Sequence, residues 1–426
     1  NMAKIALKKI SKGNKMTQPR WPLMKNAVTW GDKYQMVKFL LPSDRYTNGP
    51  KVREFEAQWA DWVGSKHALM VSSGSTANSL LMAAVKEKYG LKDGDKCLVP
   101  ACTWVTNISP VFQLGFKPIF CDVNLQNFSF DIDHMKEIKE KHPDIKVIFV
   151  THLLGYPADT NLFQKIFPDA IILDDVCESH GCLDENNQRV GANSIAASFS
   201  FYFGHHMTTI EGGMVNTNDS DLYELMRMKR SHGLARESGN LKKYADQYPE
   251  IHSQFLFMTD GYNFRNTELN AVLGLSQLEK LNESIEKKSI MLKTYKKYLD
   301  KSIKIIEPPK QSNHIPFRVS IIIPGGSKDL MDFMSENNIE TRTFFYPLHK
   351  QPCYQSWSTK LTEKIRKFLR LPDLFEVSNR MYNEGVCLPS FVSISEEQIK
   401  YICEKINSYV RSEEHTSELQ SRGLIS

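Results

Sequence analysis

The chain has 426 residues, a formal net charge of +5, 41% hydrophobic and 24% charged side chains, the composition of a globular chain with room for two ordinary domains. The charge is small for this length and no basic stripe is interleaved with aromatics, so nucleic acid is not expected as a partner. No apolar run reaches the length of a membrane span, so a membrane is not expected either.

The first twenty residues carry Lys4, Lys8, Lys9, Lys12, Lys15 and Arg20 without the apolar centre of a signal peptide, and read as a basic N-terminal arm, 1–20. From Val52 to Val63 apolar residues recur at helical spacing up to Gly64. "HALMVSSGSTANSLLMAAVKEKYG" reads as strand, tight turn and helix, with the helix starting near Ser75 and ending at Gly90. "KCLVPA", "KPIFCDV", "KVIFVTHL", "AIILDDV", "AASFSFYF" and "GGMVNT" are strand candidates, several separated by helical stretches. Strands alternating with helices predict an α/β domain with a large, mixed but mostly parallel sheet.

"DLYELMRMKRSHG" predicts a helix ending at Gly233, and 234–260 reads as a polar, irregular surface insertion. From about residue 266 a single long helical pattern runs toward a second domain. "FRVSIIIP", a helix near 328–337, "IETRTFFYPL" and a last helix at 395–410 predict a smaller α+β domain. The expected organisation is a large domain at 21–300, a small C-terminal domain at 301–410 and a polar, foreign-looking tail at 411–426. The eight cysteines, at 97, 102, 121, 177, 182, 353, 387 and 403, form no Cys-x-x-Cys and lie mostly in apolar stretches. Reduced thiols, no metal framework and a cytoplasmic protein are therefore expected.

Four stretches carry candidate chemistry. "SSGSTAN" (72–78) between a strand and a helix offers amides, hydroxyls and a helix N-terminus to an anion, through Gly74, Ser75 and Thr76; it also makes an ordinary N-cap. In "PACTWVTN" (100–107), Trp104 at a strand exit can stack on a flat ring or serve the core. In "IILDDVCESHG" (171–181), Asp174 and Asp175 end an apolar strand, where open α/β sheets bind ligands, and Glu178 follows. A carboxylate there can hold a protonated heterocycle nitrogen, or simply cap. In "SFSFYFGHHMTTIEGGMV" (198–215), Ser200 and two histidines precede Glu-Gly-Gly.

Together these stretches resemble the DegT/DnrJ/EryC1/StrS family of pyridoxal-phosphate sugar aminotransferases, over about 20–410. "RSHG" (230–233), "DGYNFRNTELNAVLGLSQLEKL" (260–281), "FYPLHKQPCY" (345–354) and "CLPS" (387–390) extend the resemblance in order. It implies a type I aminotransferase fold. It implies phosphate contacts from Ser75, Thr76 and Ser200, stacking by Trp104, ring-nitrogen pairing by Asp175, and Glu178 near the ring hydroxyl. Asn263 is implied to reach the cofactor of a partner subunit, which requires a homodimer with shared active sites. His206, His232, Arg265, Arg342 and His349 are candidates for the substrate region.

The departure from the family is at His205. Its aminotransferases keep, six residues before the Glu of Glu-Gly-Gly, the lysine that holds the cofactor covalently, and no lysine occurs here between Lys165 and Lys229. An imidazole moves protons near neutral pH but makes no such link. This resembles the subgroup of PLP/PMP-dependent sugar 3-dehydratases, which also read His-His before Glu-Gly-Gly. The resemblance implies non-covalent pyridoxal or pyridoxamine 5′-phosphate, and a nucleotide-linked 4-keto-6-deoxysugar that loses its C3 oxygen with His205 as base. L-glutamate is implied as amino donor. One branch of the subgroup carries an iron–sulfur cluster; with no cysteine between 182 and 353, no cluster is expected. The branch acting on GDP-4-keto-6-deoxymannose fits better. A glutamate-dependent nucleotide-sugar aminotransferase and a non-catalytic cofactor-binding homologue are the alternatives.

Overall fold

The computed structural model describes residues 20–306, 313–324, 326–355, 364, 367 and 373–421. The expected basic arm falls almost wholly outside them. Seven strands form the larger sheet: β1 (His67–Val71), β2 (Lys96–Pro100), β3 (Lys117–Cys121), β4 (Ile145–Thr151), β5 (Ile171–Asp175), β6 (Ala197–Ser200) and β7 (Gly213–Thr217). Their order is β1-β7-β6-β5-β4-β2-β3. β7 runs antiparallel to β1 and β6, and the other pairs are parallel.

Helices cover both faces, as the near-continuous apolar strands require. In β4, Val147 and Phe149 face one cluster with the helix Gly74–Lys88, while Ile148 and Val150 face another with the helices Ile132–Lys141 and Thr160–Ile166. The period of two along the strand divides the two layers.

The smaller sheet, order β10-β11-β9-β8, is antiparallel: β8 (Lys304–Ile305), β9 (Ser320–Ile322), β10 (Arg342–Thr343) and β11 (Gly385–Cys387). Its own core joins Ile321, Leu330, Tyr295 and Ile402. Residues at the start of the chain belong with it: Trp21 bridges Ile339, the Leu23 N–H donates to the Glu340 carboxylate, and the Leu23 carbonyl accepts from the Ser390 N–H.

Several expectations need correction. The long helix is two, Glu268–Leu278 and Leu281–Tyr298, broken at Glu279–Lys280. The apolar pattern hides the break because Leu278 and Leu281 both enter the same core. The strand expected at 196–203 stops at Ser200, and 201–212 leave the sheet as a loop. The segment 234–260 contains a helix, Leu241–Gln247, and is anchored by buried Leu234 and Leu256. The last helix does not stop near 410; its backbone runs Glu396–Ser421. A helix at Trp30–Leu40, opened by a Thr29–Asp32 capping box, was not anticipated.

Candidate active site

The C-terminal ends of the parallel strands open into a cavity of about 430 Å³, closed on one side by residues just before β9 and by β10. Open α/β sheets bind ligands in this position because the strand ends present backbone and short polar groups that are free of the ladder.

Ser73, Gly74 and Ser75 line it where β1 turns into its helix. Ser73 caps that helix from its hydroxyl to the Thr76 N–H, and Thr76 Oγ1 accepts from the Ser73 N–H at 2.9 Å. The helix therefore starts one residue earlier than expected. Thr76 does not line the cavity, because its hydroxyl is engaged in the cap. Three glycines are required by close approach. A Cβ on Gly74 would stand 2.6 Å from Ser200 Cβ, and one on Gly213 would stand 2.3 Å from the Ser73 carbonyl oxygen. On Gly212 it would meet Thr209 Oγ1 at 2.1 Å. The two glycines after Glu211 thus let β7 and its loop press against the amide cradle. Ser200 faces the same cradle from the end of β6.

Asp175, at the end of β5, is 4% exposed and lines the cavity. It accepts from Asn78 Nδ2 at 2.8 Å and from the Cys177 N–H at 2.9 Å. Burial pushes its carboxyl up, against these hydrogen bonds. Asp174 points the other way, to Ser194 and to His152 at 3.3 Å. Adjacent residues of a strand face opposite sides, so only one aspartate of the pair can serve the cavity. Glu178 accepts from the Leu154 N–H at 2.9 Å, and burial pushes its carboxyl up to about 7 against the attraction of Arg318.

His205 lines the cavity from the loop after β6 and stacks on Phe317 at 4.9 Å. Burial pushes its imidazole down to about 3, opposed by the Cys177 backbone and reinforced by the Arg318 and Lys288 cations. Two threonines hold this loop: Thr208 Oγ1 donates to the Phe201 carbonyl at 3.1 Å and Thr209 Oγ1 to the Glu211 carbonyl at 2.9 Å. No lysine lines the cavity among the described residues. The nearest in effect, Lys288, is buried and donates to the carbonyls of Pro316, Phe317 and Ser390 at 3.1–3.3 Å.

Trp104 sits at the rim, 52% exposed, 5.8 Å from Phe345, so it is not a core residue. Arg342 also lines the cavity. The other candidates do not. His206 is buried behind His205, with its ring 5.2 Å from His180. His232 turns outward at φ 63°, where its N–H bonds the Tyr262 carbonyl. His349 is buried and stacked on Phe375 at 3.8 Å. Arg265 lies outside the lining, and Asn263 is exposed away from its own cavity. Asn78 and Arg318 were missed; Asn78 lies among the small polar residues of "STANS", which read as a helix cap, while Arg318 is the one charge in the apolar run "IPFRVSIII".

These residues fit a phosphorylated pyridine. The amide cradle with Ser75 and Ser200 suits the phosphate, Asp175 the ring nitrogen and Trp104 the ring face. The DegT/DnrJ/EryC1/StrS aminotransferase family model matches residues 30–407. The chain belongs to the DegT/DnrJ/EryC1/StrS aminotransferase family. Within that family it is 36% identical to GDP-4-keto-6-deoxy-D-mannose 3-dehydratase of Escherichia coli O55:H7, over 64% of this chain and 71% of that one. It is 28% identical to GDP-perosamine synthase of Escherichia coli O157:H7, over 91% of this chain and 98% of that one. A solved structure of the E. coli GDP-4-keto-6-deoxy-D-mannose-3-dehydratase with bound hydrated PLP superposes with a TM-score of 0.79 at 27% identity, covering 91% of this chain and 99% of that one. The fold is the type I aminotransferase fold, as the resemblance implied.

Proposed function

We propose that this protein is a PLP/PMP-dependent 3-dehydratase acting on a nucleotide-linked 4-keto-6-deoxyhexose, GDP-4-keto-6-deoxymannose. The observation that carries this reading is that His205 lines the cavity and no lysine does among the described lining residues; the resemblance puts the family's lysine at that position. When bound, the cofactor supplies an electron sink and, in its amine form, the nitrogen that engages a sugar ketone.

The chain's own residues do the rest. Ser75, Ser200 and the amides after Ser73 hold the phosphate without a covalent anchor. Asp175, braced by Asn78, keeps a proton on the ring nitrogen. His205, neutral because burial disfavours its charged form, moves the proton at the cofactor's C4′ carbon. With the cofactor bound, the same imidazole would serve as base for loss of the sugar's C3 oxygen as water, the nitrogen leaving as ammonia on hydrolysis, and again when L-glutamate supplies a new amine.

A homodimer completes the site. Asn263 is exposed outside its own cavity, as a residue serving a partner's cofactor must be. Trp30, Tyr34 and Val37 form an exposed apolar stripe, at 83%, 63% and 50% exposure, on one face of the N-terminal helix. Sedimentation should show a dimer. Six of the eight free thiols are buried, which suits a reducing cytoplasm.

The length of the match to GDP-perosamine synthase favours a second reading, amination at C4. One experiment separates the two. The protein is incubated with PLP, L-glutamate and GDP-4-keto-6-deoxymannose, and the nucleotide sugar is weighed by mass spectrometry. Loss of one oxygen, absent in His205→Lys, is expected. An amino sugar from the unaltered protein would overturn the dehydratase reading.

A further inference from the structure

Behind His205 lies a cluster of imidazoles that the site described so far leaves unused. His180, from the turn after β5, is fully buried, and His206 is 1% exposed. Neither nitrogen of His180 makes a hydrogen bond among the described residues. His180 is the hub of the cluster. Its ring centre lies 6.0 Å from that of His205, with the planes 20° apart, and 5.2 Å from that of His206. Trp59, Phe199 and Phe201 surround it at 5.6–5.8 Å.

Packing alone would favour a leucine or a phenylalanine here, because an unpaired buried ring nitrogen costs free energy. His205 has the matching defect. Its Nδ1 is buried without a hydrogen bond, so Nε2 is the nitrogen it can offer to the cavity. An imidazole acts as base at Nε2 only while its own proton sits on Nδ1, and an acceptor for Nδ1–H fixes that tautomer. Two imidazoles joined by one N–H···N bond have ring centres roughly 5 Å apart. The His205–His180 spacing is within about 1 Å of this, as expected of a catalytic hydrogen bond that tightens when the site is loaded. The other groups behind the ring are His206 and Lys288, and Lys288 spends its protons on three carbonyls. The Cys177 carbonyl is the competing acceptor.

We propose that His180 is the positioning residue of His205: held against His206, it accepts a hydrogen bond from His205 Nδ1–H and so presents the Nε2 lone pair to the cavity. A carboxylate in this place would also accept, but its charge would hold a second proton on the ring and spoil the base. A neutral imidazole fixes the tautomer without fixing the charge. Burial holds His180 well below its ordinary range, which keeps it in that form. No proton passes to His180: one taken up at Nε2 returns from Nε2, and Nδ1 keeps its own. The inference rests on His205 being the base of the proposed function.

Nitrogen NMR of the cofactor-free protein, labelled in its histidines, reads the tautomer directly, with the His205 signals assigned by their loss in His205→Asn. The parent should carry the His205 proton on Nδ1. His180→Phe should move it to Nε2. In the PLP-loaded protein the same variant should slow the single half-reaction with L-glutamate about tenfold or more, with the half-saturating concentration unchanged within about twofold. His180→Leu replaces it if the phenylalanine variant does not fold. His180→Gln returns an acceptor and should restore both Nδ1–H and most of the rate. An Nε2–H tautomer in the parent would overturn the proposal. So would a rate that falls with the tautomer unmoved, which is a merely structural role, and so would an Nδ1–H that survives the apolar variant, which gives the part to the Cys177 carbonyl. If His205→Asn leaves the half-reaction intact, His205 is not the base and the proposed function loses its support, while the tautomer still decides what His180 does.

Discussion

Asn78 Nδ2 donates to Asp175 Oδ2 at 2.8 Å in the cavity floor, while Asn78 Oδ1 accepts from the Ser198 hydroxyl. This joins the helix Gly74–Lys88 to β5 and β6. The amide has no charge of its own, so it steadies the carboxylate without neutralising it. Burial already raises Asp175, and the hydrogen bond is one of the few forces favouring its ionised form.

Removing that amide should therefore loosen the cofactor. Asn78→Ala leaves a buried carboxylate short of a donor and a buried hydroxyl short of an acceptor. PLP affinity, followed by fluorescence titration, is expected to fall about tenfold. Asn78→Asp should be worse, because two buried carboxyls would compete for one negative charge. Unchanged affinity in both variants would show that Asp175 does not pair with the ring nitrogen.

Glu178 gives a pH-dependent prediction for the cofactor-free protein. Its folded pKa of about 7 lies above the ordinary 4.5, so the folded state holds its proton longer than the unfolded state does. The stability linked to it is fully present below about pH 4.5 and is lost as pH rises through 7. Glu178→Gln removes this loss. The carboxyl opens onto the cavity, so the gain at pH 8 should be about 1–2 kcal/mol by urea unfolding, less than the whole shift converts to. At pH 4 the variant and the parent should agree. A variant that is less stable at pH 8 would mean that the charged Glu178 is compensated by Arg318.

The parallel sheet was legible because each of its strands is an apolar run, and the cofactor cradle because small residues cluster at one strand–helix turn. His205 was legible only through a motif, as burial and loop geometry leave no periodic trace. What escaped did so for physical reasons. The helix at Trp30–Leu40 buries an aspartate rather than an apolar stripe: Asp32 accepts from Ser276 and Gln277 at 2.6 and 2.8 Å and pairs with Lys280. Periodicity cannot see such a contact. The same knot pins the break between the two helices that read as one. His232 and His349 sit in motifs near the site in sequence, yet a positive φ turns one outward and an aromatic stack buries the other. A motif marks what must be kept, and part of what must be kept is structural.

The loop that carries His205 stores strain. Ile210 is β-branched and half exposed, yet it sits at φ 73°. That region is costly for a branched side chain. Thr208 Oγ1 accepts from the Ile210 N–H at 2.9 Å and holds it there. Ile210→Gly should raise stability by about 1 kcal/mol, read as an increased thermal midpoint. If the midpoint falls instead, contacts of the Ile210 side chain outweigh the strain, as they would if the proposed dimer covers it.

Lys288 supplies the counterpart to Glu178. Burial, with Arg318 nearby, brings its amine down to about 7, below the ordinary 10.5. Stability linked to it is present above pH 10.5 and is lost as pH falls through 7, the opposite sense to Glu178. The two groups together place a shallow minimum of stability near neutral pH. Lys288→Met removes the alkaline gain and leaves the carbonyls of Pro316, Phe317 and Ser390 without their donor. The variant should lose about 3 kcal/mol at pH 9, where the parent amine is largely neutral and still bonded. It should lose less at pH 6, where the parent must bury a charge. A stability difference that does not change between pH 6 and pH 9 would show that Lys288 keeps its proton throughout, and that its three carbonyls alone compensate the charge.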